Sequence, residues 1–276
     1  MPNQTAPFDV ALVRSQLAGT RFADVRYVAQ TGSTNTDAQL LLGQPAALGS
    51  TIVADYQSAG AGRKARRWFA PPGSALLFTA LLPAPIDAAT IWAVPFWIAL
   101  GVAAGAERSC GVALDLVWPN DLHVGGRKIG GILSVARISG DDAWVGCGVG
   151  LNVRRPAGDP DLDALAPPPL FLDDLAAAAE REPLLVAILR AFDASLAELR
   201  DPAAVVARWE HRASLAGTIY RYRRDDDGVE RDGVAQRIGP HGALILRDTS
   251  GERPIEMADV RVIGHTLAGG DAVRLD

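Results

Sequence analysis

The stretch ADYQSAGAGRKARRWFAPPGSAL, residues 54–76, combines glycines, four basic side chains and a tryptophan in one short segment. STIVADYQ before it and SALLFTALLP after it are rich in β-branched and apolar residues, so the pattern predicts two strands joined by a loop. Gly60 and Gly62 predict backbone N–H groups that are free to face an anion. Trp68 and Phe69 add apolar faces beside the basic side chains. The loop suits a phosphate next to a planar base, such as an adenylate, and the alternative is a solvated basic loop.

Composition and charge exclude some classes of protein. The 276 residues are 49% apolar and 21% charged, which is typical of a globular chain. The net charge of -5 leaves no global basic field for binding nucleic acid. The only cysteines, Cys110 and Cys147, predict neither a disulfide framework nor a cysteine metal cluster. The Walker pattern is absent from the basic loop, which argues against a P-loop kinase or GTPase.

The opening residues do not predict a signal peptide, and the most apolar run does not predict a membrane span. The opening residues, MPNQTAPFDVALVRSQ, lack the basic start and long apolar core of a signal peptide. The apolar run IWAVPFWIALGVAAGA, from Ile91, is shorter than the ~18–20 residues of a membrane span and contains Pro95. The run therefore predicts a buried helix, and the chain is expected to be cytoplasmic, with no membrane association.

Strand, helix and turn patterns predict an α+β fold, with a mixed or antiparallel sheet flanked by helices. A short helix capped by Asp9 is expected at residues 9–17, and a long helix at residues 88–108. After residue 213 the pattern changes to short strands separated by glycine or charged turns, which predicts a small antiparallel β-barrel or sandwich. Residues 1–213 and 214–276 are therefore predicted to form two domains.

Three further segments carry candidate site residues. VWPNDLHVGGRKIGGIL, residues 117–133, predicts a hairpin that brings Asp121 near Lys128, or an ordinary turn with a surface lysine. The alternate glycines of GCGVGLNV, residues 146–153, expose a strand face for a flat ligand or for tight helix packing. TGSTNTDAQ, residues 31–39, offers hydroxyls and an amide that either cap a helix or bind a small polar ring.

The basic residues are unevenly divided between the two cationic types. Of 27 basic residues only Lys64 and Lys128 are lysines, and the asparagines are Asn3, Asn35, Asn120 and Asn152. A lysine retained in such an arginine-rich chain indicates a position that needs a compact ammonium group. The four histidines have no metal-ligand spacing and are expected at the surface or in turns. No G-x-S-x-G elbow is present, so a serine hydrolase is not indicated.

The motifs, taken in order, resemble those of the biotin protein ligase family. The matching residues are Gly32-Ser33-Thr34-Asn35, Gln57, Gly60-Ala61-Gly62-Arg63, Trp68, Trp118-Pro119-Asn120-Asp121, Lys128, Gly131-Ile132-Leu133 and Gly148-Val149-Gly150-Leu151-Asn152. The resemblance covers residues 28–153 strongly and the β-rich tail more loosely. It implies the fold shared by biotin and lipoate ligases and class II aminoacyl-tRNA synthetases, with an SH3-like C-terminal barrel.

The resemblance also implies an activity. Biotin and Mg-ATP would give biotinyl-5′-adenylate, and a lysine of the biotin carboxyl carrier protein would then accept the biotin. Biotin, ATP and Mg²⁺ are the expected small molecules, with no metal site in the protein itself. About two dozen residues precede the matching region, too few for the helix-turn-helix of some family members, so no DNA binding is expected. The oligomeric state is expected to be a monomer or a homodimer.

Site roles follow from the same resemblance. Catalytic roles are implied for Lys128, Arg63 and Asp121. The residues implied to bind biotin are Ser33, Thr34, Asn35, Gln57, Gly60, Ala61, Arg63, Lys128, Leu133, Gly148 and Gly150. The residues implied to bind ATP or the adenylate are Arg63, Arg66, Trp68, Asn120, Lys128, Ile132 and Asn152, with Trp68 packed over adenine.

The chain departs from the family pattern at a few positions. Ala61 and Ala65 stand where family loops have an arginine and a glycine, and Val117 stands where a lysine is common. Two other functions stay open. A lipoate or octanoate ligase or transferase shares the fold and a pocket lysine, and a non-catalytic module would bind biotin without releasing pyrophosphate.

Overall fold

The computed structural model describes residues 8–157, 162, 168–266 and 272–274. The predicted C-terminal domain, residues 214–276, therefore lies partly outside the described residues. The larger sheet confirms the prediction of a mixed sheet, because β1 and β2 pair in parallel and the other neighbours pair antiparallel. Its strands are β1 (Val25–Thr31), β2 (Thr51–Gln57), β3 (Ala75–Leu81), β4 (Ile86–Asp87), β5 (Asp115–Val117), β6 (Asp121–Val124), β7 (Arg127–Ser139) and β8 (Asp142–Asn152).

The strand order brings distant motifs together. The sheet runs β1-β2-β3-β8-β7-β6-β5, and β4 pairs with the end of β8. The basic loop joins β2 to β3, and the Trp-Pro-Asn-Asp motif leads into β6. The glycine-rich β8 lies between β3 and β7, so all of these segments converge on one region of the sheet.

Helices pack against this sheet. They are α1 (Val10–Gln16), α2 (Thr34–Gln39), α3 (Val94–Cys110), α4 (Arg181–Ser195) and α5 (Pro202–Arg212). Asp9 caps α1 as predicted, since its carboxylate accepts a hydrogen bond from the Leu12 N–H at 2.9 Å. The helix predicted at residues 88–108 is divided into a 3₁₀ segment, Ala88–Ala93, followed by α3. Pro95 explains the break, because its ring clashes with the preceding turn of an α-helix.

The apolar helix α3 lies in the core, as predicted. By length and composition alone the helical stretch Ala88–Cys110 could cross a membrane, but 56% of its most apolar window is buried inside the protein. Gly101 allows α4 to approach closely, since a Cβ there would lie 2.4 Å from Cδ1 of Phe192. Gly105 does the same opposite Ile188, at 2.5 Å from its Cγ1. These contacts are those of a core helix between the sheet and α4.

The C-terminal residues form a second sheet, antiparallel throughout its described strands. The strands are β9 (Ile219–Arg224), β10 (Glu230–Ile238), β11 (Leu244–Asp248), β12 (Gly251–Ile255), β13 (Val260–Thr266) and β14 (Ala272–Arg274). Their order is β12-β11-β10-β9-β13-β14, with no pairing between the two ends, so the prediction of a closed, SH3-like barrel is wrong for the described strands. Pro254 in β12 suits an open edge, because proline cannot donate to a further strand.

The two sheets share one hydrophobic core. Trp118 is 1% exposed and joins them, because its backbone N–H donates to the Tyr220 hydroxyl at 3.2 Å. Its indole Nε1–H donates to the Gly242 carbonyl at 3.1 Å. The predicted boundary at residue 213 falls between α5 and β9. This packing places the C-terminal sheet against the end of β5, next to the candidate site.

Candidate functional site

A cleft opens where the motifs singled out in the sequence converge on the sheet. Its lining residues are Ser33, Thr34, Asn35, Gln57, Ala61, Gly62, Arg63, Arg66, Arg67, Trp68, Pro119, Asn120, Asp121, Lys128, Gly131, Ile132, Leu133, Gly148, Val149, Gly150 and Val262.

The basic loop folds back on itself as a small hairpin. The Trp68 N–H donates to the Gly60 carbonyl at 2.9 Å, and Ala61 and Arg67 form an antiparallel bridge. The Gly62 N–H donates to the Arg66 carbonyl at 2.7 Å. The prediction that this N–H is free to face an anion is therefore wrong in this conformation, because the hairpin uses it.

Gly60 is required by close packing rather than by a left-handed backbone. A Cβ at this position would lie 2.6 Å from the Trp68 carbonyl oxygen and 3.1 Å from Nε2 of Gln57. The absence of a side chain lets the base of the hairpin close onto Gln57, which lines the cleft. Gly60 itself is not among the lining residues, so its contribution to the site is to seat Gln57 and Trp68.

The tip of the hairpin is tied to the C-terminal sheet. The Arg63 guanidinium donates to the Met257 carbonyl, and the Lys64 ammonium pairs with Asp225. Lys64 and Ala65 have φ values of 54° and 57°, in the left-handed region that costs a residue with a side chain about 1–2 kcal/mol. The two cross-sheet contacts hold the loop over the cleft despite this backbone cost.

Burial changes the electrostatics of Arg63. Burial lowers the pKa of the Arg63 guanidinium, and the nearby Asp121 carboxylate acts in the opposite direction. An arginine stays protonated at neutral pH even so. The result is a partly desolvated positive charge at the mouth of the cleft, where a low dielectric strengthens its attraction for an anion.

Lys128 and Asp121 face each other across the β6–β7 hairpin, as the sequence predicted. The Lys128 Nζ donates to Oδ1 of Asp121 at 2.6 Å. The lysine side chain is 40% exposed and the aspartate side chain 16%, so the ammonium is the more accessible partner. Asp121 therefore positions a lysine that can still reach an anionic ligand.

Asn120 has a structural partner. Its Nδ2 donates to the Ile132 carbonyl at 2.8 Å, and the Ile132 N–H donates to the Asn120 carbonyl at 2.9 Å. This pair of bonds fixes the segment before β6 against β7. It keeps Asp121 and Lys128 in register, while Asn120 and Ile132 line the cleft themselves.

A polar wall of the cleft is built of neutral groups at the start of α2 and the end of β2. Oε1 of Gln57 accepts from the Thr34 N–H at 2.8 Å and lies 3.0 Å from the Thr34 hydroxyl. Nδ2 of Asn35 donates to the Leu133 carbonyl at 2.9 Å. Ser33 and Thr34 are 7% and 4% exposed. A ligand that reaches this wall meets oriented donors and acceptors in a poorly hydrated environment.

Trp68 covers the glycine surface of β7 and β8. A Cβ at Gly150 would lie 2.8 Å from Cε2 of the indole, and one at Gly131 would lie 3.7 Å from its Cζ3. The Trp68 Nε1 is buried and has no hydrogen-bond partner among the described residues. The glycines accommodate the indole, so the face on which a flat ligand was expected to lie is shared between the cleft and Trp68.

Most of the residues that the sequence predicted for the site line this one cleft. Two do not: Gly60, which lies behind Gln57, and Asn152. Asn152 is 9% exposed and its Nδ2 donates to the Leu170 carbonyl at 3.1 Å. Its predicted contact with the nucleotide would therefore require this amide to change partners.

Six lining residues were not among the predicted site residues: Gly62, Arg67, Pro119, Gly131, Val149 and Val262. All of them except Val262 lie inside motifs that the sequence analysis had singled out, so position within those motifs was a usable signal. Val262 comes from β13 in the C-terminal sheet and has no local signal, because only the packing of the two sheets brings it to the cleft.

Two histidines expected at the surface or in turns are buried instead. His123 is 0% exposed and His265 is 3% exposed, and their rings pack with centroids 5.2 Å apart between β6 and β13. Burial lowers the pKa of His123 to about 4, and burial also lowers the pKa of His265. Both imidazoles are therefore neutral at pH 7 and act as packing groups beneath the Asp121–Lys128 pair.

The charges around the cleft favour anions. Arg63, Arg66, Arg67 and Lys128 line it together with a single carboxylate, Asp121. Fixed cations in a partly desolvated site reduce the repulsion between anionic groups that are brought together there. Because the whole chain is acidic, the positive charge is a local property of this site.

Comparisons with known proteins agree with this geometry. The model of the Biotin/lipoate A/B protein ligase family matches residues 27–152. The Biotin--[acetyl-CoA-carboxylase] ligase of Paracoccus denitrificans is 32% identical over 246 residues, 84% of this chain and 98% of the relative. The ligase of the same name from Mycobacterium tuberculosis is 30% identical over 256 residues, 87% of this chain and 90% of the relative. The chain belongs to this family.

A solved ligase structure supports the fold of this family member. The biotin protein ligase from Aquifex aeolicus, in complex with biotin and ATP, superposes with a TM-score of 0.68 at 19% identity. The match covers 87% of this chain and 98% of the other. The two proteins share the mixed sheet and the helices around it.

Proposed function

We propose that this chain is a biotin protein ligase that activates biotin with ATP and transfers it to a lysine of a biotin carboxyl carrier protein. The observation that carries the proposal is one cleft lined both by a neutral polar wall and by four cations. The polar wall suits the ureido head of biotin. The cations suit the carboxylate and the phosphates that must meet there.

Activation requires two anions to approach within bonding distance. A carboxylate oxygen of biotin attacks the α-phosphorus of ATP, the bond to the β-phosphate breaks, and pyrophosphate leaves. Lys128 and Arg63 neutralise the carboxylate and the α-phosphate, which is the electrostatic stabilisation that such a step needs. Asp121 holds the Lys128 ammonium in place at 2.6 Å until the anions arrive.

The ring of biotin is held at the polar wall of the cleft. Ser33, Thr34 and Gln57 supply its hydrogen bonds, and the backbone of Ala61 and the side chain of Leu133 supply further contacts. Gly148 and Gly150 keep the strand face low beneath it. Arg66, Trp68 and Asn120 surround the nucleotide, and Trp68 moves from Gly150 onto the adenine when the ligand enters.

Transfer then uses an amine from the carrier. The carrier ammonium gives one proton to water, and the resulting neutral amine attacks the carbonyl carbon of the acyl-adenylate. The bond to the AMP oxygen breaks, AMP leaves, and the nitrogen gives a second proton to water as the amide forms. Asp121 lies at the cleft where it can orient the incoming ammonium. The loop tied to Met257 covers the adenylate, because closure of such a loop protects a reactive intermediate from water.

Mg²⁺ enters as part of the nucleotide. Asp121 is the single carboxylate among the lining residues, and no group of three or more His, Cys, Asp or Glu in the described part of the chain could hold a metal ion. Mg²⁺ is commonly held through substrate phosphates with only one or two carboxylates. The ion would supply charge neutralisation to the nucleotide phosphates, and Lys128 and Arg63 would supply it around the α-phosphate. We infer that the reaction takes place in the cytoplasm.

The test is reconstitution with defined components. The protein is mixed with biotin, Mg-ATP and a biotin carboxyl carrier domain, and the carrier is weighed by mass spectrometry. A gain of one biotinyl group on a single lysine, with pyrophosphate release that depends on biotin, is expected. Lipoate and octanoate are supplied in parallel. Transfer of either in preference to biotin, or biotin binding without pyrophosphate release, would overturn the proposal.

A further inference from the structure

Thr79 lies behind the polar wall of the cleft and does not line it. It is on β3 and is 0% exposed. Its hydroxyl donates to Oδ1 of Asn35 at 2.7 Å, and its oxygen lies 2.9 Å from the Thr34 hydroxyl oxygen. A buried hydroxyl with two polar neighbours links α2 to the middle of the sheet.

Some groups in this wall can only donate or only accept a hydrogen bond. These groups fix the direction of the hydrogen bonds around them. The Leu133 carbonyl can only accept, so Nδ2 of Asn35 faces it and Oδ1 faces Thr79. Since Oδ1 of Asn35 can only accept as well, the single Thr79 proton must point to Asn35. The Thr79 oxygen is then left as an acceptor toward Thr34.

The same reasoning fixes Thr34 and Gln57. The Thr34 N–H can only donate, so it faces Oε1 of Gln57 at 2.8 Å. The one proton of the Thr34 hydroxyl has two acceptors within reach, the Thr79 oxygen at 2.9 Å and Gln57 Oε1 at 3.0 Å. Either choice uses that proton inside the protein. Thr34 therefore offers the ligand a lone pair, and Gln57 offers it the N–H groups of Nε2.

We propose that Thr79 is a positioning residue that sets the donor and acceptor polarity of the cleft, so that the cleft selects a ring carrying an N–H beside a carbonyl. This inference rests on the proposed function, in which the ring is the cyclic urea of biotin. The ring N–H donates to Thr34, and the ring carbonyl accepts from Gln57. Asn35, predicted from sequence to bind biotin, also transmits the orientation, since Oδ1 and one N–H of its Nδ2 have protein partners.

The substitution Thr79→Val removes the hydroxyl with little change of shape. Oδ1 of Asn35 then loses its donor, and a buried carbonyl without a partner is unfavourable, which favours reorientation of the amide. Asn35 packs against the backbone of Gly148, where an added Cβ would lie 2.2 Å from Oδ1, so its reorientation disturbs the floor of the cleft. Biotin is expected to bind about tenfold more weakly or worse.

Thr51 offers a matched control. It lies on β2, adjacent to β3, is 0% exposed, and its hydroxyl has no hydrogen-bond partner among the described residues. Thr51→Val makes the same chemical change in the same sheet without touching the polar wall. It is expected to leave biotin affinity within about twofold of wild type, since no hydrogen bond is lost.

The experiment measures biotin affinity by titration calorimetry and the KM values for biotin and Mg-ATP by pyrophosphate release. For Thr79→Val, the dissociation constant and KM for biotin are expected to rise together, with KM for Mg-ATP unchanged. Desthiobiotin, which keeps the cyclic urea, is expected to weaken by the same factor. Thr79→Ser restores the hydroxyl and is expected to recover most of the affinity.

Three results would overturn the inference: unchanged biotin affinity in Thr79→Val, a Thr79→Ser variant as weak as Thr79→Val, or an equal rise in KM for Mg-ATP. If Thr79→Val does not yield folded protein, Thr79→Ala is compared with Thr79→Ser by the same criteria. Failure of wild-type protein to bind biotin would instead contradict the proposed function, so the two failures are distinguishable.

Discussion

Replacing Lys128 by alanine removes the cation that lies 2.6 Å from Asp121 and leaves that carboxylate facing the cleft. The change has two consequences for the proposed reaction. The biotin carboxylate and the α-phosphate lose a neutralising charge, and they gain an unpaired negative neighbour. Both effects oppose adenylation, and both act where the anions must meet.

The expected loss follows from these two terms. A like charge at about 4 Å costs on the order of 4 kcal/mol at an effective dielectric constant near 20. Lys128 is 40% exposed, so solvent screening reduces the repulsion well below that figure. Removal of one positioned electrostatic group typically costs about 10²–10³ in rate. We therefore expect Lys128→Ala to lower the rate of adenylation at least about 100-fold.

The assay is biotin-dependent pyrophosphate release in a single turnover, with biotin binding measured separately. In the double variant Lys128→Ala with Asp121→Asn, the repulsion is removed, so part of the lost rate is expected to return. Lys128→Arg keeps the charge but replaces a compact ammonium by a planar fork, and we expect a loss of about 100-fold there as well.

Arg67 supplies the matched control, because it also lines the cleft and its guanidinium donates to the Ser58 carbonyl at 3.3 Å, away from Asp121. Arg67→Gln removes one positive charge without exposing a carboxylate, so a smaller loss is expected. Near-normal pyrophosphate release by Lys128→Ala, or equal losses in the two variants, would refute the assigned role of Lys128.

Other perturbations test the loop, the buried histidine and the absence of DNA binding. Ala65→Gly relieves a left-handed backbone at φ 57° and is expected to raise the Tm by a few degrees, about 1 kcal/mol, in a thermal melt; an unchanged or lower Tm contradicts this. Arg63→Gly removes the bond to Met257 and is expected to release adenylate, seen by mass spectrometry as more biotin on added albumin; an unchanged background with adenylate formation intact removes Arg63 from retention. His123 has a folded pKa of about 4 against 6.5 unfolded, so the unfolded state binds more protons between these values. The free energy of unfolding in urea should therefore fall by up to roughly 3 kcal/mol from pH 7 to pH 4, and His123→Leu should flatten that slope. No sequence-selective gel shift is expected with biotin and ATP present, and a salt-sensitive, selective shift would contradict the ligase-only reading.

The mixed sheet and the convergence of the motifs were predictable because their signals are local. The strands on either side of the basic loop read as β-branched and apolar runs, and a tight hairpin turn forces Asp121 and Lys128 together whatever the rest of the fold does. The family resemblance, carried by the order of the motifs, is confirmed by relatives that align over most of the chain. The division at residue 213 and the roles of individual site residues stay predictions.

Features that depend on distant packing were not predictable from local patterns. Short strands with polar turns occur in both barrels and open sheets, and the two differ in whether the edge strands pair with each other. A single proline in the sequence, Pro254, does not by itself show that its strand is an unpaired edge. His123 lies in a turn-rich stretch, yet β13 covers it. Gly62 was expected to present a free N–H, but the Arg66 carbonyl of the same loop takes it.

The polar wall shows the same limit at the level of single atoms. The sequence predicts Asn35 as a ligand because its residue type and its motif suit a polar ring, whereas Thr79 lies in a segment that predicts only an apolar strand. A side chain's type states which hydrogen bonds it can make, but the partners already present decide which of them remain for a ligand. With Oδ1 of Asn35 bound to Thr79 and one N–H of its Nδ2 bound to Leu133, Thr34 offers the ring a lone pair and Gln57 offers it an amide N–H. Specificity at this wall is therefore determined one layer behind the surface that the ligand touches, and a search confined to lining residues would not find it.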